Sequence, residues 1–267
     1  MSVVGHRGAA VRRPADQARS PVSLWWRGAW GRQLLVEVAV VVGGYLAYKQ
    51  VRYLVRDHQV EAFANAARVI RWERAAGMFT ELHLQELVIG SGGLIEFLNR
   101  YYVSVHFPLT VGLVVWAYAC RRDEVYPRLR FFLLSVTVVG LVIHVVFPLA
   151  PPRMLPELGF VDTLAEYGPR VYPADPGRSI ANQFAAMPSL HFGWALILAW
   201  CIAPTLRRRW LTVLLWSHPV VTLVAITATA NHFWLDAAVA GAVVLLAAAV
   251  WQRRRVPAGD ALTAVAC

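Results

Sequence analysis

The chain has 267 residues, 58% of them hydrophobic, and a mean hydropathy of +0.48, which excludes an ordinary soluble domain, where apolar residues make up roughly 45–50%. The net charge of +10 comes almost wholly from arginine, but the arginines are scattered between apolar stretches and form no stripe, which argues against nucleic acid as a partner. Cys120, Cys201 and Cys267 have neither disulfide-framework nor metal-site spacing.

Residues 1–32 hold several arginines but no apolar core of a signal peptide, so they predict a cytoplasmic tail. A spanning helix needs about 20 mostly apolar residues. Stretches that meet this are 33–54, 102–120, 131–149, 189–205, 211–230 and 232–251. They predict a membrane domain over 33–252, followed by a cytoplasmic tail over 253–267. The first span carries Glu37, Lys49 and Arg52 toward its ends, where snorkelling relieves them. The 11 tryptophans suit membrane–water interfaces.

Between the first two spans, "EAFANAARVIRWERAAGMF" has apolar residues at helical spacing and predicts an amphipathic helix on the outer face. "ELVIGSGGLIEFL" predicts a second interfacial helix broken at its glycines. The loops "RRDEVYPRLR" (121–130), "RRR" (207–209) and "RRR" (253–255) follow spans two, four and six, so the positive-inside rule makes them cytoplasmic. Both termini are then inside a multi-pass cell-membrane protein. Segments 55–101 and 150–188 and the corner near Asn231 are outside. The 150–188 segment is rich in proline and glycine, and its length points to a functional loop. The expected fold is all-α, a polytopic membrane helix bundle of about six transmembrane helices with an outer amphipathic helix.

Two stretches carry polar groups that the membrane alone does not require. In "NHFWLDAAVAGA" (231–242), His232 and Asp236 are four apart and share one helix face. The carboxylate can hold one imidazole nitrogen and leave the other free to attack. In "AAMPSLHFGWALILAW" (185–200), Pro188 and Ser189 precede His191 at a helix start, where free N–H groups and the dipole attract phosphate. Arg153 follows "APP" just beyond the third span. Taken singly, each has a plainer explanation: an interfacial histidine, a chance i,i+4 pair, a headgroup contact. Together, three helix ends bring two histidines, an aspartate and an arginine to one membrane depth.

"AAMPSLH" and "HFWLD" resemble the type 2 phosphatidic acid phosphatase superfamily, with its signatures KxxxxxxRP, PSGH and SRxxxxxHxxxD. "NQFAAMPSLHFGWAL", with "FPLAPPRMLPELGF" before it, is similar to the inositol phosphorylceramide synthase (inositolphosphotransferase) branch. The resemblance runs from about residue 59 to 245. It implies a phosphohistidine at His232, held by Asp236, with His191 as general acid and then base. Arg153 and N–H groups near Ser189 would bind the phosphate. It implies no metal and no cofactor. Asn182, Arg178 and Arg170 would be headgroup or loop contacts.

The pattern is incomplete. Val146 stands where the superfamily has lysine, Met154 where it has proline, Leu190 where it has glycine, and Ala225 and Ile226 where it has Ser-Arg. Two cations are missing. A phosphomonoester carries about −1.5 to −2 charges near neutrality and a diester a single charge, so fewer cations suit a diester. The expected function is therefore a lipid phosphotransferase or phosphatase, with headgroup transfer ahead of simple phosphomonoester hydrolysis. A lipid transporter, a non-catalytic lipid-binding protein and a zinc site built from His191, His232 and Asp236 compete with it. Asn65 and Glu73 read as a solvated helix face, ahead of a sugar or inositol contact. His144 and His218 read as packing or hydrogen-bonding residues, His106 has no assignment, and nothing specifies the oligomeric state.

Overall fold

A computed structural model describes residues 29–55, 57–121, 123–169 and 183–254. Among these residues the chain is helical, with one isolated parallel bridge between Leu149 and Ala185. It divides into a unit up to Tyr48 and a unit from Lys49 onward. Helix α1 (Ala29–Val55) fills the described part of the first unit. From Arg32 it is apolar enough to cross a membrane, and Leu35, Val38, Val41 and Leu46 along it are exposed, as lipid-facing side chains are.

After the last residues of α1, the second unit continues with α2 (Gln59–Ala75) and α3 (Glu81–Ile89). The buried residues of α2 are Ala62, Asn65, Ala66, Val69, Ile70 and Glu73, a spacing of three and four that gives one packed face. Four longer helices and one short one follow: α4 (Gly92–Cys120), α5 (Tyr126–Val146), α7 (Leu190–Ile202), α8 (Arg209–Ala228) and α9 (Trp234–Arg253), with the single-turn α6 (Thr163–Tyr167) in the loop after α5. Including α1, five helices among the described residues are long and apolar enough to span a bilayer.

Two element assignments change. "GGLIEFLNR" is not a separate interfacial helix. It is the first third of α4, which runs on through a π-type segment at Tyr101–Val105. The chain does break at the glycines, since α3 ends before Gly90 and α4 begins at Gly92. The polar residues that hid this continuity, Glu96 and Arg100, pair at 3.3 Å on an exposed face. The third span starts at Tyr126 rather than 131, with Pro127 in its first turn. Arg128 donates to the Trp200 carbonyl at 3.1 Å, so this "loop" arginine satisfies an orphan carbonyl near the end of α7.

Helix α7 is the centre of the bundle and packs against α4, α5, α8 and α9. Its 13 residues reach about 20 Å at 1.5 Å per residue, short of the ~30 Å hydrocarbon core. Its start is therefore inset. A Cβ on Gly140 would lie 2.8 Å from Leu190 Cδ2, so Leu190 is level with Gly140, roughly 9 Å inside the α5 terminus by helical rise. Gly193 is also close to Val136 of α5, at 3.2 Å from a built Cβ. These two glycines let α7 approach α5 and lower the residues after Pro188 into the bundle.

Candidate active site

The turn between α8 and α9 carries His232. Ala230 has φ 53°, a left-handed conformation that an alanine adopts only under constraint. The turn closes on α8, since the Asn231 and His232 N–H groups both donate to the Ile226 carbonyl at 3.0 Å. Ala230 in turn accepts the Arg153 N–H at 2.8 Å. This bond brings the turn after α5 to the residue next to Asn231.

His232 is 5% exposed, and its Nδ1 faces two acceptors: the Ala186 carbonyl at 2.9 Å and Asp236 Oδ2 at 3.2 Å. With acceptors on both sides, Nδ1 must carry the proton, which leaves the lone pair on Nε2. Asp236 Oδ2 also accepts the Phe233 N–H at 2.9 Å, so the carboxylate is fixed by the helix start it belongs to. Ala186 is placed by the bridge: Leu149 N–H donates to Phe184 at 2.8 Å, and Ala186 N–H donates to Leu149 at 3.4 Å.

His191 sits one residue into α7, with its ring centre 6.2 Å from that of His232. Ser189 caps α7, its Oγ accepting the Phe192 N–H at 3.4 Å. Its own N–H donates to the Asp236 backbone carbonyl at 3.1 Å. Ser189 is thus the joint between the two helix starts, and its N–H is already engaged. His144 adds a weak contact to the Pro188 carbonyl at 3.5 Å, a hydrogen-bonding role as expected.

Arg153 is buried. Its Nε donates to Asn231 Oδ1 at 3.1 Å and its Nη1 lies 3.6 Å from Asp162 Oδ2. Asn231 is held in turn by Thr229 Oγ1 at 2.8 Å. The guanidinium is therefore aimed by a fork of fixed acceptors. Arg153→Lys keeps the charge but cannot fill that fork, and kcat/KM is expected to fall roughly 10²-fold. Steady-state kinetics on the purified variant measures this.

The structure thus brings His232, Asp236, His191, Ser189 and the Arg153–Asn231 pair together. Arg170, Arg178 and Asn182 lie outside the described residues. His191 and His232 lie at helix starts as expected, but the start of α7 is level with Gly140 rather than with the end of α5. Asn65 and Glu73 are buried, not solvated. Asn65 donates to the Pro148 carbonyl at 2.8 Å, and Glu73 accepts the Leu235 N–H at 2.7 Å. Asp162, Asn231 and Glu81 had no distinguishing pattern in the sequence, because their partners are remote along the chain. His106 and His218 form a stack behind His191, with ring centres 4.9 Å from His191 to His106 and 5.2 Å from His106 to His218. His218 is hydrogen-bonded to Tyr101, and Tyr102 packs on His191 at 4.4 Å. Among the described residues, no three of His, Cys, Asp and Glu converge as a metal site.

The family model of the PAP2 superfamily matches residues 67–251, more than half of the chain. The chain belongs to the PAP2 superfamily. No curated protein and no solved structure matches it. Membership supports a membrane phosphatase or phosphotransferase acting on a lipid phosphate. The matched residues run from the middle of α2 almost to the end of α9, so α3–α8, and with them every residue of the site, fall in the family region.

Proposed function

We propose that this PAP2 superfamily member transfers a lipid phosphoester group through a phosphohistidine at His232. The observation that carries the reading is the double acceptor at His232 Nδ1, which leaves Nε2 as the nucleophile beside His191. Nε2 attacks phosphorus. The bond from phosphorus to the leaving oxygen breaks, and that oxygen takes a proton from His191. The neutral His191 then removes a proton from the acceptor hydroxyl, whose oxygen attacks phosphorus. The phosphorus–nitrogen bond breaks and its electron pair returns to Nε2. Arg153 and the N–H groups at the start of α7 stabilise the equatorial oxygens without a metal.

The substrate we favour is a phosphodiester, with headgroup transfer resembling that of an inositolphosphotransferase. Val146 and Ile226 are apolar where the superfamily pattern has cations, and Arg153 already faces Asp162. The single charge of a diester suits this lean complement. A cavity of about 440 Å³, lined by Val105, Leu109, Leu113, Trp116, Leu214 and Leu215 and bounded by Tyr101 and His218, suits a hydrocarbon chain. Arg121, Arg207, Arg208, Arg209 and Arg253 all lie at the bundle end away from the site, which by the positive-inside rule supports a site on the outer face.

Purified protein incubated with a phospholipid panel, with and without inositol or ceramide-like alcohols, tests the reaction by product mass spectrometry. Headgroup transfer or diester cleavage is expected. Tenfold faster turnover of a lipid phosphomonoester would overturn the diester preference, and flux without chemistry would favour a transporter. In intact cells, a Glu157→Cys variant should react with an impermeant thiol reagent while native Cys120 stays protected.

A further inference from the structure

Helix α9 begins with three carboxyl groups, and only one is its own. Asp236 Oδ2 accepts the Phe233 N–H at 2.9 Å, Glu81 Oε1 from α3 accepts the Trp234 N–H at 3.0 Å, and Glu73 Oε1 from α2 accepts the Leu235 N–H at 2.7 Å. Three successive N–H groups that a helix start ordinarily leaves open are each taken by a carboxylate from a different element. Trp234 is held a second time, its indole N–H donating to Thr80 Oγ1 at 3.0 Å. Glu73 and Glu81 are 2% and 0% exposed.

The outer oxygens of this pair point to its protonation. Glu73 Oε2 and Glu81 Oε2 are buried and meet no N–H or O–H of another described residue. Their inner oxygens sit on successive N–H groups, those of Trp234 and Leu235, so the two buried carboxyl groups are immediate neighbours. Two carboxylates cannot bond unless one holds a proton. With both ionised, two charges would sit buried beside that of Asp236. One proton is enough to join the two groups and to remove one of the two buried charges.

We propose that Glu73 and Glu81 share one proton and act as a clamp on the start of α9, positioning residues that hold Asp236 and, through it, His232. The positioning half of this inference rests on the proposed phosphotransfer, whereas the shared proton does not. The clamp would also give α2 and α3 a purpose beyond covering the bundle, because each supplies one arm.

The proton is tightly held. Burial first, then the hydrogen bond and charge of Glu81, with a smaller push from Asp236 on α9, raise the Glu73 carboxyl from 4.5 to about 9, against the opposing Leu235 N–H. An acid whose folded pKa is raised favours folding most fully below its unfolded value. That contribution shrinks as the pH climbs above 4.5 and is lost as it passes about 9. The second ionisation then places two buried negative charges together at the clamp.

The test compares wild type, Glu73→Gln, Glu81→Gln and the double variant in detergent. Tm, kcat and KM are followed from about pH 6 to about pH 10. A single glutamine supplies the N–H that the shared proton supplied. Each single variant should keep kcat within about threefold of wild type near neutrality and lose the alkaline decline of Tm and kcat. The double variant sets two amide NH₂ groups against each other. Its kcat should fall at least about tenfold with KM little changed, at temperatures where it remains folded. A wild type with kcat and Tm flat through pH 10, or single variants as impaired as the double one, would overturn the proposal. If the double variant fails to fold, the pH profiles of the single variants still decide. If wild type turns over no phosphoester, the Tm profiles decide the shared proton alone, and the failure belongs to the reaction.

Discussion

Replacing His232 by alanine is expected to abolish turnover of the lipid phosphoester, by at least about 10⁴-fold in kcat, while the helix bundle stays folded. In the proposed reaction the imidazole supplies the attacking Nε2, and His191, with its ring centre 6.2 Å away, is reserved for proton transfer. The cost to folding should be modest, because what is lost is the pair of Nδ1 hydrogen-bond contacts to the Ala186 carbonyl and to Asp236. Rapid-quench trapping of an acid-labile phosphoenzyme in wild type, with none in His232→Ala, checks the nucleophile directly. A variant that still turns over substrate at a tenth of the wild-type rate would remove His232 from the chemistry, whatever its effect on stability.

The second large effect is at Asp236, where two substitutions separate charge from geometry. Asparagine can keep the oxygen that accepts from His232 Nδ1 and Phe233 N–H, and its NH₂ falls where Oδ1 is buried without a partner. What it loses is the negative charge that stabilises the imidazolium formed in the reaction. We expect Asp236→Asn to lower kcat by roughly 10²- to 10⁴-fold with little change in Tm. Alanine loses the orientation as well and leaves the Phe233 N–H without its carboxylate, so Asp236→Ala should be slower still and less stable by about 1 kcal/mol. Thermal unfolding and single-turnover rates of phosphoenzyme formation distinguish these outcomes. Equal rates in the two variants would mean that the Ala186 carbonyl alone orients His232, and that the carboxylate acts only as a helix cap.

Much of this site is legible in the one-dimensional string because it depends on short spacings. His232 and Asp236 are one helical turn apart, so their meeting needs no tertiary information. Pro188-Ser189 announces a helix start, and Ser189 does cap one. The long apolar runs place His191, His232 and Arg153 at the same end of the bundle, because helices that alternate in direction return to one end every second crossing. Where the reading slipped, long-range partners were the reason. Glu73 looks solvated from its own helix, where Arg71 and Arg74 flank it. Only the approach of α3 and the open N–H groups of α9, 162 residues away for Leu235, make its burial tolerable. Glu96 and Arg100 suggested an interfacial segment, although their pairing on an exposed face lets α4 continue through them.

The amino-acid string by itself determined the all-helical membrane class, the end of the bundle where the polar groups gather, and the pairing of imidazole with carboxylate. These follow from hydropathy over about 20 residues and from a 3.6-residue period, both local properties. Tertiary structure decided the depth of the site, through the shortness of α7 and the close approach of Gly140 and Gly193 to their neighbours. It also decided which nitrogen of His232 is free, since the Ala186 carbonyl comes from a distant loop, and it decided the fork that aims Arg153. Buried polar atoms take whatever partner packing delivers, and packing is a property of the whole chain.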